Sequence, residues 1–400
     1  MRVAKQIIIL SLVLSLISSP VKVLANGLAL LNQGTDPVCD MNNPPDPQAN
    51  GMLDPQRVYA IVVGLLDWQS PDLSSFSAEG RQDVEFYSAL LALGVPETNM
   101  VKLIDAEATL ARIRQELSNL AQNAPYDSTF IFYFTGHGAR RRAGTCFTNH
   151  DVQTNDLPNT CFQLTELNQL LDENLFAKNV MLFADCCYSG AMGTVARNLH
   201  RAGKNVLAVA SVVRTNASTG NWTFTQTLVG CFRGEPIHDR NGDGTITVAE
   251  LTREIREVMR ARDGQLSAHK LLGYPANYGI KSAHGRVRGA WSGNFKVRQY
   301  VKTSEGNGRI MAINGDKFTV RFLTYNSYED KEIDKSDINR LRFRTHSVLS
   351  RVDVRSDGRV YPGRVTRVKY GFHKIRYDNY DSYYDEWKLA KDIVRVRNPS

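Results

Sequence analysis

The chain has 400 residues, of which 42% are hydrophobic and 22% are charged. This composition excludes global disorder, and the length predicts two to three globular domains. The net charge of +8 is unevenly distributed. Residues 286–400 contain 25 Lys and Arg against 14 Asp and Glu, whereas residues 1–285 contain 24 against 27. The positive charge therefore belongs to the C-terminal part of the chain.

Residues 1–25 have the pattern of a cleaved signal peptide. Two basic residues precede an apolar stretch from Ile7 to Ile17, and a small-residue cleavage site ends at Ala25. The apolar stretch is shorter than the roughly 20 residues that a membrane-spanning helix needs. We therefore predict a secreted or periplasmic protein without a stable membrane span. Residues 26–54, which include NNPPDP, are predicted to be a flexible lead-in.

Between residues 55 and 283, short apolar strands alternate with amphipathic helices. The predicted strands are VYAIVVGL, MVKLI, FIFYF, NVMLFA and VLAVASV, and the predicted helices include DVEFYSALLALG, ATLARIRQELSNLAQ and LTELNQLLDENL. Such alternation predicts an α/β fold in which helices cover both faces of a mostly parallel sheet. Binding crevices of such sheets lie at the carboxyl ends of the strands.

Two of the predicted strands end in chemically distinctive residues. FIFYF is followed by Thr135-Gly136-His137-Gly138, and NVMLFA is followed by Asp185-Cys186-Cys187. Parallel strands deliver such residues to one edge of the sheet, where a thiol and an imidazole can act as nucleophile and base. A lone buried Cys or His is more often a packing residue, but here both stand at strand ends.

These motifs, with RVYAIVVGL, HDVQTNDL and LTELNQLL, resemble the caspase-like cysteine peptidases, and within them the metacaspase-like bacterial members. The resemblance covers about residues 57–278 and implies a caspase-like sandwich with peptidase activity. His137 and Cys187 are fifty residues apart, as in caspases. Caspases proper have Gln-Ala-Cys where this sequence has Asp185-Cys186-Cys187.

The resemblance also implies catalytic roles. Cys187 would be the nucleophile and His137 the general base, and the backbone amides of Gly138 and Cys187 would stabilise the oxyanion. Because side chains alternate along a strand, Cys186 is expected to point away from the crevice. The sequence identifies no third catalytic residue.

An acidic substrate pocket is the next implication. By the resemblance, Asp83, Thr135 and Asp185 would form the S1 pocket, and protein or peptide substrates would be cleaved after Arg or Lys. The residues themselves favour the same conclusion, because a buried carboxylate two positions before the nucleophile is costly without a cation. Cleavage after Asp would need a basic pocket, which these residues do not provide.

Cys146 and Cys161 flank a short loop between the two catalytic strands. Disulfides are common in exported proteins, and closing a loop of this length contributes about 3 kcal/mol in the chain-entropy model. We predict a bridge between these two cysteines, with free buried thiols as the alternative.

Residues 239–250 match the twelve-residue calcium loop of EF-hand-like sites. The ligand positions, with a Gly at the sixth, are occupied by Asp239, Asn241, Asp243, Thr245 and Glu250. Calcium, structural or activating, is therefore the expected cofactor, and no organic cofactor is expected. The alternative is a turn that caps the following helix without metal. Several bacterial relatives of the caspase-like group carry a similar stretch.

The C-terminal part contains an internal repeat at an offset of 55 residues. GRIMAINGDKFTVRF from Gly308 aligns without gaps with GRVTRVKYGFHKIRY from Gly363. The pattern predicts two small β-barrels, at 290–345 and 346–400, which resemble tandem Tudor-like or SH3-like modules. Aromatic residues of the second repeat are predicted to form a cation cage or stacking platform, or else barrel core: Tyr361, Tyr377, Tyr380, Tyr383, Tyr384 and Trp387. An anionic polymer or an acidic protein is the expected partner.

Two functions are compatible with the sequence. The leading hypothesis is an exported Cys-His endopeptidase with a basic C-terminal binding module. The alternative is a non-catalytic binding or scaffold protein with a relic caspase-like domain. Because opposite charges attract, we also hypothesise that the basic tail restrains the enzyme by occupying its acidic pocket.

Overall fold

The computed structural model describes residues 51–285, 287, 291–323 and 328–397. The predicted signal peptide and residues 26–50 of the lead-in lie outside the described residues. Below, residues 55–283 are called the peptidase part after their predicted activity, and repeat 1 and repeat 2 denote residues 290–345 and 346–400.

The peptidase part is built on one central sheet. Its strands are β1 (Val58–Gly64), β2 (Met100–Ile104), β3 (Thr129–Thr135), β4 (Gly138–Arg141), β5 (Gly144–Phe147), β6 (Phe162–Gln163), β7 (Asn179–Asp185), β8 (Asn205–Ala210), β9 (Thr245–Thr247), β10 (Ala268–Leu272) and β11 (Gly279–Ser282). Six of them form the sheet in the order β10-β8-β7-β3-β1-β2. All neighbours in this sheet pair in parallel except β10, which is antiparallel to β8.

Helices cover both faces of this sheet. They are α1 (Gln82–Leu93), α2 (Leu110–Asn123), α3 (Leu157–Thr160), α4 (Leu164–Asn174), α5 (Met192–Arg201), α6 (Thr223–Arg233) and α7 (Val248–Val258). α2, α4 and α5 pack on one face through residues such as Ile113 and Leu167. α1, α6 and α7 pack on the other through residues such as Phe86 and Leu228. The predicted α/β sandwich is confirmed, and its apolar strands are buried on both sides as their composition indicated.

A small sheet is formed by the chain segment between β3 and β7. β4, β5 and β6 form it directly after β3. Cys146 in β5 and Cys161, the residue before β6, are joined by a disulfide with Cα atoms 5.9 Å apart. The predicted bridge is therefore confirmed, and it holds two strands of this sheet together.

The C-terminal part folds as two β repeats of the same topology. The strands there are β12 (Trp291–Ser292), β13 (Phe295–Lys296), β14 (Tyr300–Thr303), β15 (Gly306–Asn314), β16 (Lys317–Leu323), β17 (Tyr328–Asp334), β18 (Asn339–Arg340), β19 (Arg351–Ser356), β20 (Arg359–Lys369), β21 (Phe372–Tyr377), β22 (Glu386–Leu389) and β23 (Ile393–Arg397). The two five-stranded antiparallel sheets have the orders β17-β16-β15-β14-β18 and β22-β21-β20-β19-β23. Helical turns at 335–337 and 390–392 keep the offset of 55 residues, so the repeat seen in the sequence is a repeat of structure.

Among the described residues, no helix has the length and apolar character that crossing a membrane requires.

Candidate active site

The ends of β3 and β7 bring the two sequence motifs together. The strands pair in parallel with Thr135 opposite Asp185, so the segments that follow, at 136–138 and 186–188, leave the sheet side by side. His137 and Cys187 are both half-buried at this edge. The contact between the segments is close, because a Cβ placed on Gly138 would overlap the carbonyl oxygen of Cys187.

The two glycines beside His137 have different roles. Gly136 has a φ of +145°, which residues with a side chain rarely adopt. Gly138 has no such dihedral requirement, but it provides the space that the backbone of Cys187 occupies. After Cys187, Tyr188 adopts a left-handed φ of +59°, a conformation that costs on the order of 1 kcal/mol for a residue with a side chain.

The His137 ring is fixed in position and in tautomer. It packs against Trp68 and Phe76, with ring centroids 4.4 and 4.7 Å away. Its Nε2 atom lies 2.9 Å from the carbonyl oxygen of Ser74. A carbonyl can only accept, so Nε2 carries the proton and Nδ1 of the neutral ring is left as the basic nitrogen. The backbone carbonyl of Ser74 is thus the orienting group that sequence reasoning did not find.

Cys187 is held by the loop that follows β8. The backbone N–H of Ser218 donates a hydrogen bond to its Sγ atom over 3.2 Å. Burial raises the pKa of the Cys187 thiol, and the Ser218 hydrogen bond opposes that shift. A half-buried thiol of this kind needs a base to become a thiolate.

Cys186 lies in the core, on the face covered by α2, α4 and α5. Only 2% of its surface is exposed, and burial raises the pKa of its thiol well above the ordinary value. The structure therefore places the two adjacent cysteines in different environments, with Cys187 at the crevice.

Asp185 is buried on the opposite face from Cys186. Thr225 donates a hydrogen bond to its Oδ2 over 2.8 Å, and Thr135 donates one to its carbonyl oxygen over 3.1 Å. Within the described part of the chain, its carboxylate forms no ion pair at 4.0 Å or less. Burial, and to a smaller extent the charge of Asp263, raises the pKa of Asp185 to about 7.

Asp83, the other predicted pocket carboxylate, already has a cation. It is fully buried, and its Oδ2 lies 2.7 Å from Nη2 of Arg81. Arg81 also pairs with Asp105 and donates a hydrogen bond to the carbonyl of Gly64. Gly64 pairs with Thr135 in the sheet, so the cluster lies in the same row as Asp185, but the charge of Asp83 is compensated internally.

Asp263 is a third buried carboxylate, and the sequence did not suggest it. It lies at the end of a short π-helical turn after α7, and its side chain is 1% exposed. Asn221 donates a hydrogen bond to its Oδ1, and Nε of Arg262 lies 3.9 Å from the same oxygen. Its Oδ2 has no hydrogen-bond partner among the described residues. The position is far from both motifs in sequence, so only the folded chain identifies it.

In the predicted calcium loop, the carboxylates of Asp239 and Glu250 accept hydrogen bonds from backbone N–H groups of the same segment. Asp239 accepts hydrogen bonds from the N–H groups of Gly242 and Gly244. Glu250 accepts hydrogen bonds from Arg240, Asn241 and Thr247 and forms a capping box at the start of α7. Among the described residues, no three His, Cys, Asp or Glu side chains converge as metal ligands. The oxygen donors fit calcium in type and spacing, whereas the Asp239 and Glu250 carboxylates bind backbone N–H groups.

A cysteine and a hydrogen-bonded histidine at adjacent strand ends of an α/β sandwich are the arrangement of a cysteine peptidase. Residues 82–279 match the family model of the caspase domain. This part of the chain is therefore a caspase-like domain.

Solved structures similar to this chain have low sequence identity. Caspase-1 from Spodoptera frugiperda is 14% identical, with alignment over 59% of this chain and 95% of that one and a TM-score of 0.39. The Drosophila initiator caspase Dronc is 11% identical, with 58% and 85% covered and a TM-score of 0.36. A Geobacter sulfurreducens protein is 13% identical, with 56% and 100% covered and a TM-score of 0.39. No curated protein matches the chain.

Proposed function

We propose that the chain is an exported Cys-His endopeptidase that cleaves peptide bonds after Arg or Lys. In this mechanism Nδ1 of His137 takes the proton of the Cys187 thiol, and the thiolate attacks the scissile carbonyl carbon. The N–H groups of Gly138 and Cys187 stabilise the oxyanion. The proton on His137 then passes to the leaving amine as the C–N bond breaks. Water hydrolyses the remaining thioester and regenerates the thiol.

The environment of Asp185 is the observation that carries the specificity. A buried carboxylate without an ion pair is costly, and a guanidinium or ammonium group entering the pocket would provide the missing partner. Asp263, buried nearby with an unpartnered oxygen, adds negative potential to the same region. A substrate with a cationic P1 side chain is therefore favoured over a neutral one.

Arg81 does not provide a binding partner for an acidic P1 side chain. Its guanidinium is shared between Asp83 and Asp105, so the cluster of three groups has a net charge of −1. Burial of one cation between two carboxylates leaves no positive charge for a substrate aspartate. Asp83 contributes to P1 recognition in this proposal only by the negative potential of that cluster.

Export is supported by the disulfide and by the N-terminal sequence. Structural disulfides persist in oxidising compartments, and Cys146 is joined to Cys161. Together with the signal-peptide pattern of residues 1–25, this favours a periplasmic or secreted location.

We further propose that the 239–250 loop binds calcium. Oxygen side chains stand at the first, third, fifth and twelfth positions, and Thr245 supplies a backbone carbonyl at the seventh. Calcium would hold the loop against the start of α7, which packs on the catalytic sheet. Its role in this proposal is structural, because the loop supplies no catalytic group.

The repeats are proposed to bind an anionic polymer or an acidic protein. Exposed arginines at the end of repeat 1 favour a polyanion: Arg340, Arg342 and Arg344. Many other basic residues of the repeats are paired with acidic neighbours, as Arg395 and Arg397 are with Asp353, and contribute less to such binding.

Hydrolysis of an Arg-P1 or Lys-P1 peptide amide tests the enzyme proposal. We expect turnover by the calcium-loaded protein and its loss in Cys187→Ala, while an Asp-P1 peptide stays intact. Absence of any activity that depends on Cys187 would leave the alternative, a binding or scaffold protein with a relic caspase-like domain.

A further inference from the structure

Repeat 2 contacts the segment that follows His137. The guanidinium of Arg140, in β4, lies 4.2 Å from the ring centroid of Tyr383 and 5.2 Å from that of Tyr188. Tyr383 donates a hydrogen bond from its hydroxyl to the Arg140 carbonyl over 2.9 Å, and Arg140 donates one back to the Tyr383 carbonyl. Asp381 adds an ion pair with Arg142 at 2.6 Å. The cation that contacts Tyr383 is therefore Arg140 of the peptidase part.

Repeat 2 also contacts the loop that holds the nucleophile, here called the 213–218 loop. The Asn216 side chain donates to the Trp387 carbonyl over 2.8 Å and accepts from the Trp387 N–H over 3.1 Å. The Asn216 carbonyl accepts from the N–H of Tyr188 over 3.0 Å. Two residues further on, Ser218 donates to Sγ of Cys187. One short loop therefore connects β22 with both the nucleophile and the residue after it.

Buried apolar residues pack against the start of the 213–218 loop. Val213 at its start donates a backbone hydrogen bond to Leu266 over 2.9 Å. Leu266 is buried together with Phe372 and Leu389 of repeat 2, with Val213 and Trp387 packed against them. The loop is therefore held between the peptidase part and repeat 2.

We propose that repeat 2 is a positioning element of the active site and that Asn216 is the residue through which it acts on Cys187. The pair of hydrogen bonds to Trp387 holds the 213–218 loop in the conformation in which Ser218 reaches Sγ. A preorganised donor favours the charged form of the nucleophile and removes the need to order the loop during the reaction. These contacts of repeat 2 lie beside Cys187. The proposal therefore expects repeat 2 to promote the reactivity of Cys187, whereas a basic segment in the acidic pocket would inhibit the enzyme.

The test measures the reactivity of the Cys187 thiol in the full-length chain. Iodoacetamide alkylation of Cys187 is followed by mass spectrometry across a range of pH, in the wild type and in Asn216→Ala. The variant should lose the ordered Ser218 donor, so the alkylation profile should move to higher pH. The rate at pH 7 should fall by about tenfold, the loss expected for one hydrogen bond to a charged group. With an Arg-P1 peptide, kcat should fall by a similar factor while KM changes little.

The side chains around Sγ of Cys187 are the same in the wild type and in Asn216→Ala. They are His137 beyond β3, Asp185 at the end of β7, Cys186 and Tyr188 on either side of Cys187, and Arg140 on β4, and none is altered by the substitution. A shift of the alkylation profile therefore reports the loop and not a changed charge.

Two further variants separate positioning from attachment. Tyr383→Ala removes the Arg140 contact from the side of repeat 2 and should shift the profile in the same direction, which decides the question if Asn216→Ala does not fold. Arg256→Ala removes a contact between α7 and Tyr370, 4.7 Å from guanidinium carbon to ring centroid and distant in sequence from both motifs. It should alkylate and turn over as the wild type does.

The proposal rests on Cys187 being the nucleophile of the proposed peptidase, but the alkylation readout does not require turnover. A shifted profile without peptide hydrolysis would refute the peptidase and leave the positioning role standing. An unchanged profile in Asn216→Ala and Tyr383→Ala would overturn the proposal. Faster alkylation in either variant would also overturn it, because repeat 2 would then restrain the thiol.

Discussion

Replacement of Asp185 by Asn should stabilise the fold at alkaline pH. Burial raises the pKa of this carboxyl from 3.8 to about 7. A carboxyl whose folded pKa lies above its unfolded value binds the proton more tightly in the folded state. The contribution of Asp185 to the free energy of unfolding is therefore fully present below pH 3.8 and is lost as the pH rises through 7. The shift corresponds to about 4 kcal/mol, so Asp185→Asn should melt at higher temperature than the wild type at pH 8 but not at pH 4.

The same substitution should weaken recognition of a cation. Removing one partner of a buried charge pair costs about 2–5 kcal/mol, which is at least about a thirtyfold loss of affinity. Benzamidine, which mimics the arginine side chain, measures this without any chemical step. Its affinity for the wild type should fall as the pH decreases through 7, because Asp185 takes up a proton. In Asp185→Asn the affinity should be low and independent of pH over this range.

Two further variants make the measurement specific. Asp172→Asn changes an exposed carboxylate on α4 and should leave benzamidine binding unchanged. Asp263→Asn removes a charge that raises the pKa of Asp185, so the midpoint of the pH dependence should move to lower pH. If Asp185→Asn bound benzamidine as tightly as the wild type, the assignment of Asp185 to the P1 pocket would be wrong.

Two other predictions concern the loop and the cysteines. Calcium at a hundred times its Kd should stabilise the wild type by about 2.7 kcal/mol in thermal melts. Glu250→Gln keeps a side chain suited to the capping box but should lose this gain. If a chelator did not change the melting temperature of the wild type, there would be no calcium site. Cys186→Ser should retain most peptidase activity whereas Cys187→Ser loses it, and the reverse pattern in a peptide-amide assay would mean that Cys186 is the nucleophile.

The strand ends could be predicted from the sequence because their signal is local. β3 and β7 are each a continuous apolar run that stops at a polar motif, and the structure buries every residue of β3. Parallel pairing then places the motifs together, with Thr135 opposite Asp185. The disulfide between Cys146 and Cys161 was also predictable, because a short loop between two cysteines limits the choice of partners.

The groups that complete the site could not be predicted in this way. Ser74 acts through its backbone carbonyl, and any residue type supplies such a carbonyl. Asp263 is far from both motifs in sequence, and its burial depends on the packing of the turn after α7. Arg81 lies two residues before Asp83, but its charge becomes important only because the fold also brings Asp105 to it.

The charge of the tail illustrates what a net charge can and cannot predict. Attraction between a basic tail and an acidic peptidase part was expected, and repeat 1 does bury Arg309 against Glu254, with Nη1 and Oε2 2.6 Å apart. Although burial alone would raise the pKa of Glu254, Arg309 and its other cationic neighbours hold it below the ordinary value. The acidic residue of this pair lies on α7 and not at Asp185. Net charge gives the sign of the attraction but not its location: Arg309 pairs with Glu254, which Arg240 of the peptidase part already contacts, and not with Asp185.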